Sequence, residues 1–235
     1  MGMRLIGPVY LVGGQDYNMT YLDWPASDCN AYLVDTGDPL VLIDCGCGES
    51  LPGLLGNVKE MGFKTHEITH AFLTHCHLPH AGGAEALRRN DVELMAAPQA
   101  AEAMRTAATE TAAYHYAREF TPAEEVTELE DGQSVTLGRC EFRARHLPGH
   151  STGSMGYEIR AEERRMLFCG DVVRSPDVSQ IRGRLDYDPE AYAETLKRLL
   201  EDPPHVLYPG HGPFCLSHAE HWIGAELRKL LAHGH

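Results

Sequence analysis

The sequence contains no hydrophobic run long enough to span a membrane. Its apolar stretch at residues 5–12 is interrupted by Gly7 and Pro8, whereas a spanning helix needs about 18 or more apolar residues. We therefore expect neither a transmembrane helix nor a cleaved secretory segment. Basic side chains are also scarce, with 20 Lys and Arg against 34 Asp and Glu and a formal charge of −14. Such a charge repels phosphate backbones and anionic lipids, so we expect no nucleic-acid or membrane partner.

Several familiar chemical motifs are missing as well. The sequence has no glycine-rich pattern that cradles phosphates and no Gly-x-Ser-x-Gly elbow, so nucleotide binding and serine-hydrolase chemistry lack support. The seven cysteines are odd in number and scattered along the chain, which argues against a disulfide framework. This cysteine pattern favours a reducing, cytoplasmic location.

Histidine is the abundant residue, at 14 of 235 positions. His75, His77 and His80 fall within six residues, directly after an apolar segment at residues 68–73 that we predict to be a strand. Residues two apart in an extended segment point the same way, so His75 and His77 can face one ion. We expect His80 to approach the same place from the loop beyond.

Three further polar residues stand where a predicted strand gives way to a glycine-containing turn: His150, Asp171 and His211. Glycine lets the backbone turn sharply and approach a ligand closely. Imidazoles with a carboxylate form a ligand set that suits zinc or non-haem iron. The sequence therefore predicts that five imidazoles and one carboxylate converge on a common cation.

The order of predicted elements favours one α/β domain over residues 1–235. A hairpin at residues 29–44 and a helix at 51–62 come first, and we interpret residues 99–120 as a helical insertion. The acidic stretch 124–131 is expected to be solvated surface. Strands and then helices follow, so the chain reads as two similar halves with sheets inside and helices outside.

These motifs together resemble one known family. The run at residues 74–83, followed in order by His150, Asp171 and His211, with Asp44 after an earlier strand, resembles the metallo-β-lactamase superfamily. It is most similar to the glyoxalase II-like members. The resemblance covers nearly the whole chain, and it implies a four-layer αββα sandwich of two mixed sheets with metals at one edge between them.

The resemblance also implies a role for each ligand. The first metal site would be formed by His75, His77 and His150. His80 and His211 would serve a second site, and Asp171 would bridge the two. Asp44 would hold a ligand histidine or the loop by hydrogen bonding, although a carboxylate that caps a turn is the alternative interpretation.

Pro79 departs from the family pattern. It stands where the family usually has an aspartate that binds the second metal and orients the attacking water. Proline supplies neither a carboxylate nor a backbone N–H, and it biases Leu78 towards extended geometry. We therefore predict one firm metal site and a weakened second one, with Zn²⁺ as the expected ion and Fe²⁺ or Mn²⁺ as alternatives. Cys76 is only a minor alternative ligand, because an i+1 side chain points to the opposite face.

The activity implied by the resemblance is hydrolysis of a small ester, thioester or lactone by a metal-activated water. Since Pro79 cannot accept a proton, Asp171, His80 and His211 are the catalytic candidates. One alternative is an iron-dependent persulfide dioxygenase, and another is a non-catalytic metal-binding member of the superfamily. The expected partner is a small molecule, and the oligomeric state is left open, with a homodimer as one alternative.

The substrate pocket is the least determined part of the site. Tyr114, His115 and Tyr116 lie in the inserted helical region, which we expect to lean over the metal cleft and to line the pocket. Helix packing explains the two tyrosines equally well. We expect substrate specificity to come from the loops around Tyr114 and between residues 174 and 188.

Overall fold

Two mixed β-sheets pack face to face in the computed structural model, which describes residues 2–14, 28–174 and 186–233. The first sheet contains, in spatial order, β1 (Met3–Arg4), β2 (Val9–Gly13), β3 (Ala31–Asp35), β4 (Leu40–Ile43), β5 (Ile68–Phe72), β6 (Glu93–Ala96) and β7 (Thr127–Glu128). The second contains β8 (Ser134–Leu137), β9 (Cys140–His146), β10 (Met155–Ala161), β11 (Arg164–Gly170) and β12 (Val206–Pro209). Strands β1 to β4 are antiparallel and β4 to β7 parallel, whereas in the second sheet β12 alone runs parallel to its neighbour.

Helices cover the outer faces of both sheets. They are α1 (Leu51–Glu60), α2 (Leu78–Ala81), α3 (Ala84–Arg88), α4 (Pro98–Thr106), α5 (Pro189–Glu201) and α6 (Ala219–His233). Helices α1, α3 and α4 contact strands of the first sheet, and α5 packs against α6. Among the described residues, none of the helices combines the length and the apolar character that crossing a bilayer requires.

The burial pattern of β11 shows the layering. Met166 and Phe168 belong to the core between the sheets, where the ring of Phe168 lies 5.4 Å from that of Tyr32. Leu167 and Cys169 instead belong to the cluster that includes α5 and α6. Because alternate side chains of a strand point to opposite faces, this strand is covered by a sheet on one side and by helices on the other. The four-layer αββα sandwich of two mixed sheets is confirmed.

Aromatic side chains tie the two sheets together beside the strand ends. Phe72 of β5 stacks on Phe142 at 4.8 Å and meets Tyr157 at 4.9 Å, both from the second sheet. The Tyr157 hydroxyl donates to the carbonyl of Leu73, at 2.9 Å. Each fully buried aromatic side chain contributes roughly 1.5–3 kcal/mol of hydrophobic stabilisation. The end of β5, where the histidine run begins, is thereby held against the second sheet.

The apolar stretch at residues 5–12 forms a strand only from Val9 onwards, because Gly7, at φ +60°, and Pro8 form a turn. The acidic side chains of residues 124–131 are exposed, as predicted, although β7 pairs with β6 within this stretch. One local prediction was wrong. Leu78 is not extended but begins α2, because Pro79 falls in the first helical turn, where its missing N–H is not needed.

The segment predicted as an insertion contains α4 and two 3₁₀ turns, Thr109–Thr111 and Ala113–Tyr116. These elements lie between β6 and β7 of the first sheet. Its status as an insertion, and the organisation of the chain as a single domain, stay predictions.

Candidate metal centre

The six predicted ligand residues meet at one edge of the sandwich, where strands of both sheets end. His75 and His77 follow β5, His150 follows β9, Asp171 follows β11 directly, and His211 follows β12. His80 does not lie on a loop, as predicted, but on the short helix α2. His211 is partly buried, and the other five residues are buried.

Three imidazoles form one compact group. His75, His77 and His150 each offer a ligand atom, and these atoms lie within 4.8 Å of one another. His150 Nε2 is 3.2 Å from His77 Nδ1 and 3.5 Å from Asp171 Oδ2. Tetrahedral zinc, with Zn–N distances near 2.0–2.1 Å, separates its ligand atoms by roughly 3.3 Å. The separations of His150 from His77 and from Asp171 are therefore close to those between two ligand atoms of one zinc ion.

A buried ring nitrogen supports the same conclusion. His75 Nδ1 lies 3.1 Å from Thr74 Oγ1, whereas His75 Nε2 is buried and has no hydrogen-bond partner within the described ranges. A buried polar atom left unpaired costs free energy, so it needs an explanation. A cation held by this group would satisfy the nitrogen, and the residues therefore fit a divalent metal ion.

Asp171 joins this group to a second one. His80 Nε2 is 3.4 Å from Asp171 Oδ1, and His211 Nδ1 is 2.7 Å from the same oxygen. His75, His80 and Asp171 also offer ligand atoms that lie within 4.8 Å of one another. The carboxylate thus occupies the central position that the sequence analysis expects for a bridging residue.

Arg174 is a site residue that the sequence analysis missed. It lies in the turn after β11, it is only 4% exposed, and its Nη2 contacts Asp171 Oδ2. Although burial raises the pKa of Asp171, the charges of Arg174, His211 and His80 hold it well below its usual range. The sequence signal for Arg174 was its position, since it is a basic residue three positions after the predicted ligand Asp171 and directly after two valines.

Asp44 combines the two roles that the sequence analysis weighed. Its Oδ1 accepts from the Thr74 backbone N–H at 2.8 Å, which caps the turn after β5. Its Oδ2 accepts from Thr74 Oγ1 at 2.9 Å and lies 2.8 Å from His80 Nδ1. Asp44 adopts φ +59°, a conformation that aspartate tolerates better than most residues. It therefore both shapes the loop and orients the His80 ring.

Two more residues that the sequence analysis missed, Cys29 and Asn30, directly precede β3. Asn30 Nδ2 donates to the carbonyls of Pro209 and Gly212, at 3.0 and 2.7 Å, and so holds the loop that carries His211. The thiol sulfur of Cys29, a carboxylate oxygen of Asp44 and a ring nitrogen of His80 lie within 4.8 Å of one another. Burial raises the pKa of Cys29 to about 12.

The histidines of the centre differ in electrostatic environment. Burial, reinforced by the neighbouring imidazoles, lowers the pKa of His75 well below its usual value. Burial also lowers the pKa of His80, but Cys29, Asp171 and Asp44 outweigh it, and the net direction is upward. The two imidazoles are in contact, with ring centroids 4.0 Å apart, but their pKa values shift in opposite directions, and Asp44 lies against His80 at 2.8 Å.

The predicted pocket residues lie on the 3₁₀ turn Ala113–Tyr116. Tyr114 is half exposed, with its ring 4.3 Å from that of His115, and Tyr116 packs partly against the main core.

Cys76 Sγ donates to the carbonyl of Glu110 at 3.4 Å, so this thiol points to a different neighbour from the imidazoles beside it. The bond also places the 109–116 segment next to the histidine run. Of the second predicted specificity loop, residues 175–185 lie outside the described part of the chain.

Comparison with known proteins identifies related chains. A family model described as the metallo-β-lactamase superfamily matches residues 24–211. An atrochrysone carboxyl ACP thioesterase from Aspergillus fumigatus is 31% identical over 187 residues, which cover 78% of this chain and 50% of that protein. The human acyl-coenzyme A thioesterase MBLAC2 is 29% identical over 197 residues, which cover 73% of this chain and 67% of that protein. The chain spans about half the length of the fungal relatives it matches.

Solved structures agree with the fold. A B3 metallo-β-lactamase with an active-site glutamic acid superposes with a TM-score of 0.77 at 25% sequence identity. The superposition covers 98% of this chain and 88% of that one. Similarity of this kind extends over both sheets and the edge at which the histidines meet.

Proposed function

Because this chain belongs to the metallo-β-lactamase superfamily, we propose that it is a metal-dependent hydrolase of acyl thioesters. The observation that carries the proposal is the group of three buried imidazoles whose ligand atoms lie within 4.8 Å of one another, with Asp171 Oδ2 3.5 Å from one of them, His150. The thioesterases among its relatives favour a thioester over the ester and lactone alternatives. A thioester of coenzyme A or of an acyl carrier protein is the proposed substrate class. The glyoxalase II-like placement, the cytoplasmic location and the homodimer stay predictions.

The residues that would hold the ion are His75, His77 and His150, together with Asp171. When bound, zinc at such a site polarises a carbonyl and lowers the pKa of water towards about 7. The protein contributes the positions of the ligands, which are held by the strand ends and by Thr74. All four of these residues are buried.

Proton transfer falls to His211 on geometric grounds. Both oxygens of Asp171 are already engaged, one by His211 and the other by Arg174. His80 is fully buried, with its two nitrogens facing Asp44 and Asp171. His211 is the least buried member, and donation from its Nδ1 to Asp171 leaves Nε2 as a proton acceptor. We assign His211 as the general base and Asp171 as the residue that orients it.

The acyl group would lie between the metal centre and the 109–116 segment. Tyr114 and His115 are its exposed aromatic side chains, and the Cys76 bond keeps this segment beside the histidine run. An amphipathic ring with a polar tip suits contact with an acyl or aromatic carbonyl compound. We propose Tyr114, His115 and Tyr116 as one wall of the pocket.

The test is a substrate panel with the purified chain. Thiol release is followed from an acyl-coenzyme A and from an acyl N-acetylcysteamine thioester, beside an aryl ester and a lactone. We expect thioester cleavage that disappears after chelator treatment and returns with added zinc. His77→Ala should abolish it, whereas His66→Ala, at an exposed histidine outside the centre, should not.

Three outcomes would contradict the proposal. Thioester cleavage that persists in metal-free protein would remove the role of the ion. Absence of thioester cleavage, combined with oxygen consumption by the iron-loaded protein in the presence of a thiol persulfide, would establish the dioxygenase alternative. Metal binding without turnover of any substrate would favour the non-catalytic alternative.

A further inference from the structure

A carboxylate from a distant part of the chain lies against the histidine run. Asp186 Oδ1 is 3.7 Å from His77 Nε2, and the two side chains are 7% and 1% exposed, respectively. Removing a carboxylate from water is costly unless a partner stabilises its charge. An imidazole that carries its proton on Nε2 provides such a partner.

The two ring nitrogens of His77 face different neighbours. Its Nδ1 is 3.2 Å from His150 Nε2, so Nδ1 is the nitrogen on the side of the ligand group. A neutral imidazole carries its proton on only one nitrogen, and the nitrogen that binds a metal ion must be unprotonated. His77 can therefore serve the ligand group only in the tautomer that carries the proton on Nε2. This is the nitrogen that Asp186 faces.

The segment that carries Asp186 is held in place through Asp188. The Asp188 backbone N–H donates to the carbonyl of Gly149 at 2.9 Å, directly before His150 in the chain. The Asp188 side chain caps α5 by accepting from two backbone N–H groups of its first turn. Helix α5 also approaches the same loop closely, since a Cβ at Gly149 would lie 2.3 Å from Tyr192 Cα. The start of α5 is therefore docked on the loop of one ligand histidine, and Asp186 lies two residues before this anchor.

We propose that Asp186 is a positioning residue of the metal centre, whose carboxylate holds the His77 ring with Nδ1 towards the ion. This inference rests on the proposed function for the presence of the ion. The separation of 3.7 Å is longer than a direct hydrogen bond, so the carboxylate acts mainly through its charge, which a buried site screens little. Carboxylates behind metal-binding imidazoles commonly set the tautomer and the orientation of the ring. Asp186 thus serves His77 as Asp44 serves His80, from a different part of the chain.

The experiment measures zinc affinity by competitive chelator titration of the wild type and three variants. Asp186→Ala should weaken zinc binding by roughly 10- to 100-fold. Asp186→Asn keeps an oxygen atom but loses the charge, so its affinity should lie between those of the wild type and Asp186→Ala. Glu93→Gln is the matched control, because it neutralises another carboxylate 3.6 Å from a histidine, His70, between β5 and β6 and outside the ligand set. It should leave zinc affinity unchanged.

A spectroscopic readout separates positioning from a general effect on stability. The ring N–H proton of His77 is followed by NMR in zinc-loaded protein that contains 15N-labelled histidine. Loss of the facing carboxylate charge should move this resonance upfield in both Asp186 variants, whereas Glu93→Gln should leave it in place. A merely structural role of Asp186 would lower the melting temperature without moving the resonance.

The outcomes distinguish this inference from the proposed function. Equal zinc affinity of the wild type and Asp186→Ala would overturn the role of Asp186 and leave a metal-dependent hydrolase intact. Weaker zinc binding with an unmoved His77 resonance would overturn it as well, because Asp186 would then bind the ion directly or only support the loop. If Asp186→Ala does not fold, Asp186→Asn, which has nearly the same shape, still decides the matter. No zinc bound by the wild type would instead refute the metal centre itself.

Discussion

Replacement of Asp44 by asparagine tests whether the carboxylate behind His80 orients the metal centre. Asparagine has the same shape, tolerates the positive φ of this position, and keeps one oxygen for the Thr74 backbone N–H, now 2.8 Å from Oδ1. The lost interactions are the two made by Oδ2, with Thr74 Oγ1 and with His80 Nδ1. The expected effects therefore act on the loop and on the ring of His80.

The magnitude follows from the kind of bond that is lost. Hydrogen bonds to a charged partner contribute about 1.5–3 kcal/mol, so the free energy of unfolding of the metal-free Asp44→Asn protein should fall by about that amount. Loss of a residue that orients a metal ligand typically weakens metal binding by roughly 10- to 100-fold. We expect zinc affinity to fall within this range.

Urea unfolding of the metal-free protein and competitive chelator titration measure the two effects separately. Asp131→Asn is the control, because Asp131 accepts one backbone N–H, from His146 at 2.8 Å, on an exposed turn. It should change the free energy of unfolding by less than about 0.5 kcal/mol and leave zinc affinity unaltered. Unchanged zinc affinity in Asp44→Asn, with stability lowered, would refute the orienting role and leave only the turn cap.

Three other predictions concern a close approach, an acid-labile ion pair and long-range charge. Gly210→Ala should weaken zinc binding at least about tenfold, because a Cβ there would lie 2.3 Å from His80 Cε1. Gly56→Ala is the control and should leave zinc binding unchanged, because a Cβ at that position meets nothing within 4 Å. Equal effects of the two substitutions would contradict the argument. Hydrogen bonds from Arg88 and Arg89 lower the pKa of Glu85 to about 2. These interactions therefore stabilise the fold fully at pH values above the unfolded pKa near 4.3, and their contribution is lost as the pH falls towards 2. Glu85→Gln should therefore flatten the acid side of the stability profile by on the order of 1–2 kcal/mol, and parallel profiles would exclude this. Because the chain carries a charge of −14, it repels the anionic coenzyme A group, and kcat/KM for an acyl-coenzyme A should rise as added salt screens this repulsion. The kcat/KM for a neutral N-acetylcysteamine thioester should not change with salt. A fall in kcat/KM for the acyl-coenzyme A would show a local basic docking site instead.

The predictable part of the centre lay in short-range patterns. Alternation along an extended segment places His75 and His77 on one face, and the Gly-containing turns after strands predict where His150 and His211 leave the sheets. The layer order also follows from local signals, since the alternation of strands and helices leaves few ways to bury both kinds of apolar face.

Other features depended on contacts between distant segments. Asn30 holds the His211 loop across about 180 positions of the chain, and no local pattern signals such a bond. The pairing of β7 with β6 was missed because an exposed two-residue strand has almost no hydrophobic periodicity. Helix α2 was missed because Pro79, which suggests extended geometry for its predecessor, is equally compatible with a first helical turn.

By itself the order of residues determined which ligand types are available and that they follow strand ends, because side-chain chemistry and strand periodicity are local properties. Only the tertiary structure decided how the charges around Asp171 are balanced. Arg174 is an unremarkable basic residue in the chain, but burial beside the carboxylate removes the water that would otherwise screen it. A charge acquires its effect on a metal centre from its distance to the ligands and from the medium between them, and both are set by the fold.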